Sequence, residues 1–534
     1  MKFTATALLA QGALAAAATS GDFSILTMNV AGLPEVLNPN GVPGGKEASS
    51  KTIGSRFAKY GYDVIHVQED FNYHAALYST DTHPYRTPTS GGVPIGSGLN
   101  TLSNFPWLSG SFQRQKWNKS SCASEFDCLT PKGFTFMRIA IADNVYVDFY
   151  NMHTDAGTET ADLEARTDNL RQVGEWIQTH SQGNAVLVFG DTNSRYSRSG
   201  DTGIRSLLKS ENPNGAAGLT DIWVQLHRNG VLPNDAGVCG NPAQDAVCEI
   251  VDKVLYRSSP LVTLTPTAFE YAGARFLADD GVSVLSDHNP VLVNLTWSSA
   301  GDRRFRQSGF WGGAAYGNWF NDVSVLDSMT GTIKARKITF RGENRLDSVA
   351  LSVSASSGKN TELVHGGRGG SEVSLTLADG ESWVKSELSQ GQKSDKTRNF
   401  YIKATTVVKG DWWCVGKLRL RHWVFETAFV MDIGEHTSEN NSSMYTTWRA
   451  RAEGGGRPDR RGAPERMPMG WSEPSRFVPE LVNLSQSVVI NPLDVHNSSA
   501  PNPARLDLLG CLTVHVRLRD TTVSPPGMMP ERTM

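Results

Sequence analysis

Hydrophobic and polar positions follow a strand–helix rhythm from residue 22 to residue 297. Phe23 to Met28 reads as a strand, and Lys46 to Tyr60 as a helix with Ile53, Phe57 and Tyr60 on one side. Asp63 to Gln68, Leu99 to Leu102, Phe134 to Ile141 and Val145 to Tyr150 read as further strands. Ala161 to His180 predicts an amphipathic helix, with Leu163, Leu170, Val173 and Ile177 at near-helical intervals. Ala185 to Phe189 is wholly apolar, as expected of a strand buried on both faces. Glu249 to Tyr256 and Val291 to Trp297 close the set. The alternation predicts a layered α/β sandwich over residues 21–297.

The rhythm then changes. Residues 298–308 are a polar, basic linker. From 309 to 408, short alternating runs such as Lys337 to Phe340, Ser348 to Val353 and Val373 to Leu377 are separated by Gly-rich turns, an all-β pattern. Residues 409–534 lose periodicity: after Lys417 there are 13 arginines and no lysine. That segment reads either as a disordered tail or as the product of a shifted reading frame. Its tryptophans (Trp412, Trp413, Trp423, Trp448, Trp471) speak against an ordinary disordered linker. It is assigned no function.

The 534 residues predict about three or four domains at roughly 150 residues each. A hydrophobic share of 39% supplies real cores. No apolar run approaches the ~18–20 residues of a membrane span. Lys2, the apolar stretch from Ala7 and the small residues Ala16-Ala17-Ala18 predict a secretory signal peptide over residues 1–20. Sequons at Asn118, Asn294, Asn440, Asn441, Asn483 and Asn497 fit an exported, glycosylated chain. In an oxidising compartment the local spacing predicts Cys122–Cys128 and Cys239–Cys248 disulfides, rather than a zinc site, whose ligands are spaced more tightly.

Candidate chemistry gathers at strand ends. Asn29, Glu69, His153, Asp191 and Asn193 follow predicted strands, Asp252 lies in one, and Asp287-His288 precede another. Oxygen-rich side chains of this kind suit Mg²⁺, with Mn²⁺ or Ca²⁺ as alternatives. A histidine backed by an acid suits activation of water. A lone strand-end Asp is more often a turn residue or helix N-cap, and Asp155 and Asp221 are read that way; His66, His74, His180 and His227 are read as core or surface.

The motifs Met28-Asn29-Val30, Gln68-Glu69, Asn151-Met152-His153, Gly190-Asp191-Thr192-Asn193, Val251-Asp252-Lys253 and Ser286-Asp287-His288-Asn289-Pro290 stand in the order of the endonuclease/exonuclease/phosphatase superfamily of metal-dependent phosphodiesterases, which the sequence resembles. The resemblance implies a four-layered α/β sandwich. It implies that Glu69, Asn29 and Asp287 hold the metal, that His288 is the general base, and that Asp252 orients it. Asp191 and Asn193 would position water and phosphate, and His153 would donate to the phosphoryl oxygens or the leaving group. Lys132 and Arg195 read equally well as phosphate partners or as solvated charges.

Within that superfamily, Gly98 to Trp107 and Pro131-Lys132-Gly133-Phe134 are similar to segments of the secreted sphingomyelinase-like phospholipases C. The total charge of −3 conceals an acidic region 21–297, with fewer Lys and Arg than Asp and Glu. Non-specific nucleic-acid affinity rests on basic excess, so a lipid-headgroup phosphodiester is favoured over nucleic acid as substrate. A secreted nuclease and a carbohydrate-binding protein with an inactive phosphodiesterase fold are the alternatives. Phe269, Tyr271 and Phe276 lie where the sphingomyelinases carry an exposed aromatic hairpin, which would meet a membrane surface transiently; core packing is the competing reading. Oligomeric state is not legible.

Gly312-Gly313 to Asp322, Leu346-Asp347, His365-Gly366-Gly367-Arg368-Gly369-Gly370 and Leu377 to Glu381 resemble jacalin-like lectins over residues 309–408. That implies a β-prism and a glycan pocket built from Gly312 and Gly313 with a C-terminal Gly-x-x-x-Asp loop. The chain departs from the family before that loop.

Overall fold

The computed structural model describes residues 18–35, 42, 45–123, 130–215, 217–299, 305, 307, 320–393, 396–407, 410–415 and 429–432. Residues 1–17 of the predicted signal peptide, Cys128, Gly312, Gly313 and nearly all of the tail lie outside them. Described residues up to Lys334, with Val353–His365, form one compact unit. Ala335–Ser352 and residues from Gly366 onward form another.

The first unit is built on two six-stranded sheets. Strands β1 (Ser20–Asn29), β2 (Val64–Gln68), β3 (Tyr85–Arg86) and β4 (Asn100–Ser103) enter the first sheet. Strands β5 (Gln113–Lys116), β6 (Gly133–Ala142), β7 (Val145–His153), β8 (Ala185–Asp191), β9 (Thr220–Asp221) and β10 (Asp252–Arg257) make the second. The chain then returns to the first with β11 (Thr263–Tyr271) and β12 (Val291–Ser298). The orders are β11-β12-β1-β2-β4-β3 and β5-β6-β7-β8-β10-β9.

The sheets meet face to face through apolar side chains. Phe23 approaches Phe149, and His66 stacks on Phe189 with centroids 3.7 Å apart. Helix α1 (Lys46–Tyr60) covers the outer face of the first sheet: Ile53 and Phe57 share a buried cluster with Leu26, Met28, Ile65, Val67 and Phe276. It ends where Gly61 takes φ 61 and returns its N–H to the Phe57 carbonyl. Beside it lies α2 (His74–Thr80). Helix α3 (Thr160–His180) covers the second sheet, with Trp176 against Phe134. Asp162 starts it by accepting the Glu159 N–H at 3.1 Å. The layers therefore run helix, sheet, sheet, helix, the four-layered order expected. Asp221 caps the short α4 (Ile222–His227), as its turn reading predicts: its carboxylate accepts the Val224 N–H at 3.0 Å.

Two details depart from the sequence reading. Phe269, Tyr271 and Phe276 are 8%, 7% and 2% exposed, so no aromatic hairpin projects there. They belong to the core because Phe276 packs on Phe57, Phe269 on His227, and the Tyr271 hydroxyl donates to the Cys248 carbonyl. The first unit also extends past residue 309. Helix α5 (Val323–Asp327) follows Asn321, whose side-chain N–H donates to Asn184 at 2.7 Å.

The remaining strands are β13 (Ile333–Gly342), β14 (Leu346–Ala355), β15 (Asn360–Gly366), β16 (Ser371–Thr376), β17 (Trp383–Lys393), β18 (Lys396–Thr406), β19 (Gly410–Val415) and β20 (Phe429–Asp432). This region is strand-rich, as expected. The last sheet, β19-β18-β17-β20, continues into the residues read as tail.

Candidate active site

Register places the candidate residues. β7 runs parallel to β8 with His153 opposite Asp191, and β10 runs antiparallel to β8 with Asp252 also opposite Asp191. Three chemical groups thus share one level of the second sheet. In the first sheet β1 and β2 are parallel with Asn29 opposite Gln68, so Glu69 emerges beside Asn29. The Ser286 hydroxyl donates to the Asn29 carbonyl at 2.6 Å and ties the Asp287-His288 loop to the end of β1.

These side chains form one connected polar chain. Asn29 Nδ2 donates to Glu69 Oε1 at 3.1 Å and to Asp191 Oδ2 at 3.2 Å. His153 Nε2 lies 3.3 Å and His288 Nε2 3.8 Å from the same Asp191 oxygen. His288 Nδ1 is 2.9 Å from Asp252 Oδ2. Ligand atoms of Asp191, Asp252 and His288 all lie within 4.8 Å of one another. The Asn193 N–H donates to Asp191 Oδ1 at 2.9 Å, while its side chain donates to the Thr154 carbonyl. Asp287 is exposed at the rim.

Charge and burial set the protonation states. Burial alone would lower the His288 imidazole, but the carboxylates of Asp252 and Asp191 outweigh it and hold it well above its usual range. Burial lifts Asp252 to about 6 against the pull of His288. Burial would also lift Asp191, yet His288, His153 and Lys132 bring it down to about 2. His153 is pushed down to about 3 by burial and then by Lys132, so it is neutral at pH 7. Burial, and then the charge of Asp287, raise Glu69.

Glu69 and Asp287 with Asp191 and the Asn29 amide are a crowd of oxygen donors whose mutual repulsion a cation would relieve. That donor set fits a hard divalent ion. The buried Asp252 Oδ1 and His153 Nδ1 have no hydrogen-bond partner among the described residues.

Of the candidate residues, Asn29, Glu69, His153, Asp191, Asn193, Asp252, Asp287 and His288 lie together, while the backbone N–H of Arg195 donates to Asp201. Lys132, left undecided between phosphate and solvent, is only 9% exposed, and its charge acts on Glu69, Asp191 and His153. Gln68 and Asn151 stand in the sequence motifs but were given no role there, and so the sequence reading missed the layer beneath. Gln68 donates to Asn151 at 2.7 Å, and Asn151 donates to the carbonyls of Val67 and Asn100, a polar seam joining the sheets under the site. Amides inside strands that are otherwise apolar were the available signal. It also missed the left-handed backbone of Glu69 (φ 57) and Asn193 (φ 45). Such conformations persist only where the surroundings impose them. Gly32 and Gly98 let the chain pass close to Glu69: a Cβ on Gly32 would meet the Glu69 carbonyl oxygen at 2.2 Å, and one on Gly98 the Glu69 Cα at 3.0 Å.

Residues 46–234 match the family Endonuclease/Exonuclease/phosphatase family 2. The chain is 39% identical over 285 residues to a sphingomyelinase of Mycobacterium bovis and to one of Mycobacterium tuberculosis. Each alignment covers 52% of this chain and 53% of the relative, so the chain spans about half the length of the curated relatives it matches. Among solved structures, sphingomyelinase C from Streptomyces griseocarneus is 18% identical over 51% of this chain and 99% of that one, with a TM-score of 0.36. TDP2 of D. rerio with a single-strand DNA product is 16% identical over 51% and 98%, with a TM-score of 0.38.

Proposed function

We propose that the protein is a divalent-cation-dependent phosphodiesterase of sphingomyelinase type, hydrolysing a lipid-headgroup phosphodiester by in-line attack of water. The observation that carries this reading is the continuous chain Glu69–Asn29–Asp191–His288–Asp252, with ligand atoms of its last three members within 4.8 Å, in a segment 39% identical to sphingomyelinases.

His288 Nε2 takes the proton of the attacking water. Asp252 holds Nδ1, fixing the tautomer and stabilising the imidazolium that forms. Asp191 and Asn193 orient the water and the phosphate. Neutral His153, with Lys132 beside it, donates a hydrogen bond to the phosphoryl oxygens or to the leaving group, whose alkoxide is neutralised by a proton from solvent. Glu69, Asn29 and Asp287 would hold the cation. Bound there, it supplies positive charge against the negative charge building on phosphorus. An acidic domain without basic excess supports lipid over nucleic acid.

The Cys239–Cys248 disulfide and the exposed Asn118 and Asn294 sequons support the secreted, glycosylated reading. Cys122 is also disulfide-bonded. For the strand-rich region, the His365 to Gly370 turn supports a jacalin-like, glycan-binding role: Gly366 and Gly370 adopt φ 114 and 66, which favour glycine.

Purified full-length chain, incubated with sphingomyelin vesicles or plasmid DNA in Mg²⁺ or chelator, tests the reading. Headgroup release in Mg²⁺ alone, with intact DNA, is expected. Cleaved DNA with inert lipid overturns it. A glycan array of the same chain tests the lectin role.

A further inference from the structure

The loop that carries His288 is held from one side by β1, through Ser286. From the other it meets the ten-residue loop 239–248, closed by the Cys239–Cys248 disulfide. Asn241 Nδ2 donates to the Ser286 carbonyl at 2.8 Å. Asn289 is buried, and its amide works in both directions: Oδ1 accepts the Ala243 N–H at 2.8 Å, and Nδ2 donates to the Gly240 carbonyl at 2.9 Å. Three hydrogen bonds thus join residues 286 and 289, on either side of Asp287-His288, to residues 240, 241 and 243. The contact is close enough to require glycine behind it, since a Cβ on Gly273 would meet Asn289 Oδ1 at 2.6 Å and Pro242 at 3.0 Å. The closed loop is itself anchored at its far end. The Tyr271 hydroxyl donates to the Cys248 carbonyl at 3.0 Å, the Trp223 indole to the Ala246 carbonyl at 2.7 Å, and the Glu249 N–H to the Gly237 carbonyl at 2.8 Å.

We propose that the disulfide-closed loop 239–248 is a positioning element for the general base, with Asn289 and Asn241 as the positioning residues through which it fixes His288 against Asp252. Neither asparagine touches the acid–base pair; each holds the backbone from which His288 projects. The disulfide limits the conformations open to the loop, so its donors and acceptors stay where Asn289 needs them. The inference rests on the reading of His288 as the base.

Three variants of the full chain test it: Asn289→Ala, Asn241→Ala, and the pair Cys239→Ser with Cys248→Ser. Asn241 is exposed, so its replacement removes a strap without disturbing the core. Misplacing a catalytic group by an ångström costs up to roughly a hundredfold in rate. Each variant is expected to lower kcat by roughly tenfold or more while KM stays within about twofold. Each should also broaden the downfield imidazole N–H proton resonance of His288, identified by its disappearance in His288→Ala. Unchanged kcat and an unchanged resonance in Asn241→Ala and the cysteine pair overturn the positioning role. Full activity in His288→Ala overturns the reading of the base instead, and the two failures are therefore distinct.

Discussion

A single amide, Asn29 Nδ2, is shared between Glu69 Oε1 at 3.1 Å and Asp191 Oδ2 at 3.2 Å. It holds two carboxylates from different sheets in one fixed relation. Asn29→Ala should leave them repelling each other. The expected loss is roughly a hundredfold in kcat/KM, with the Mg²⁺ concentration for half-activation rising about tenfold or more. A Mg²⁺ titration of initial rates checks both; an unshifted half-activation point would place the cation elsewhere.

His288→Ala should lower kcat by roughly 10²- to 10⁴-fold, the usual contribution of positioned proton transfer. Asp252→Asn should lose nearly as much, because the imidazole then lacks the acceptor that fixes its tautomer. Steady-state kinetics beside circular dichroism separates these losses from unfolding.

The cation also bears on the base itself. Asp252 and Asp191 hold His288 well above its usual range, so without a cation it remains protonated at neutral pH. A divalent ion within about 4–6 Å opposes that positive charge and lowers its pKa. An imidazole NMR titration should therefore give a lower apparent pKa in Mg²⁺ than in chelator, and the rate in Mg²⁺ should rise with pH as the proton leaves. Superimposable titrations would count against a cation beside Glu69 and Asp191.

Acid should weaken the fold through two buried histidines. His66 and His153 are each pushed down to about 3 by burial, from an unfolded value near 6.5. Between those values the unfolded chain binds protons that the folded chain refuses, so stability is lost as pH falls through that window. His66→Phe keeps the stack on Phe189 and removes one proton from the difference. Its melting temperature should fall less than the parent's between pH 7 and pH 4.5, with activity kept. Parallel curves would mean that His66 does not stay neutral in the fold.

Lys253 and Glu249 form a buried ion pair at 2.8 Å, and Glu249 also accepts the N–H groups of Tyr196 and Ser197. Lys253→Met strands that carboxylate. The expected cost is about 3–5 kcal/mol, read as a fall of roughly 10 °C in melting temperature. A loss under one degree would show that the carboxylate had been neutralised or rehydrated.

What could be read from the sequence depended on range. Helix α1 was legible to the residue because Ile53 and Phe57 repeat at helical spacing and Gly61 stops the chain. Strands ending in Asn29, His153 and Asp191 were legible because apolar runs end abruptly in polar groups. The edge strand Gln113–Lys116 was not, since all four of its residues are polar and its pairing comes from β6. Long β11 was missed for a related reason: it alternates exposed and buried positions across a bulge between Pro266 and Ala268. The aromatic residues near it were ambiguous because a ring at a strand end looks the same in sequence whether it meets solvent or Phe57. Lys132 was undecided because burial of a lysine is a tertiary fact.

The first strand, β1, lies between β2 and the last strand of its sheet, β12, with Ser20 opposite Ser298. The second sheet is a single uninterrupted stretch of chain, while the first is written in two halves on either side of it. A ribosome therefore delivers Asn29 and Glu69 of the first sheet, and His153, Asp191 and Asp252 of the second, well before the strand that completes the first sheet, and His288 arrives only just ahead of that strand. Nascent chains short of Ser298 should be catalytically silent however well they fold. Nicked or split versions should regain activity only when the two halves find each other again.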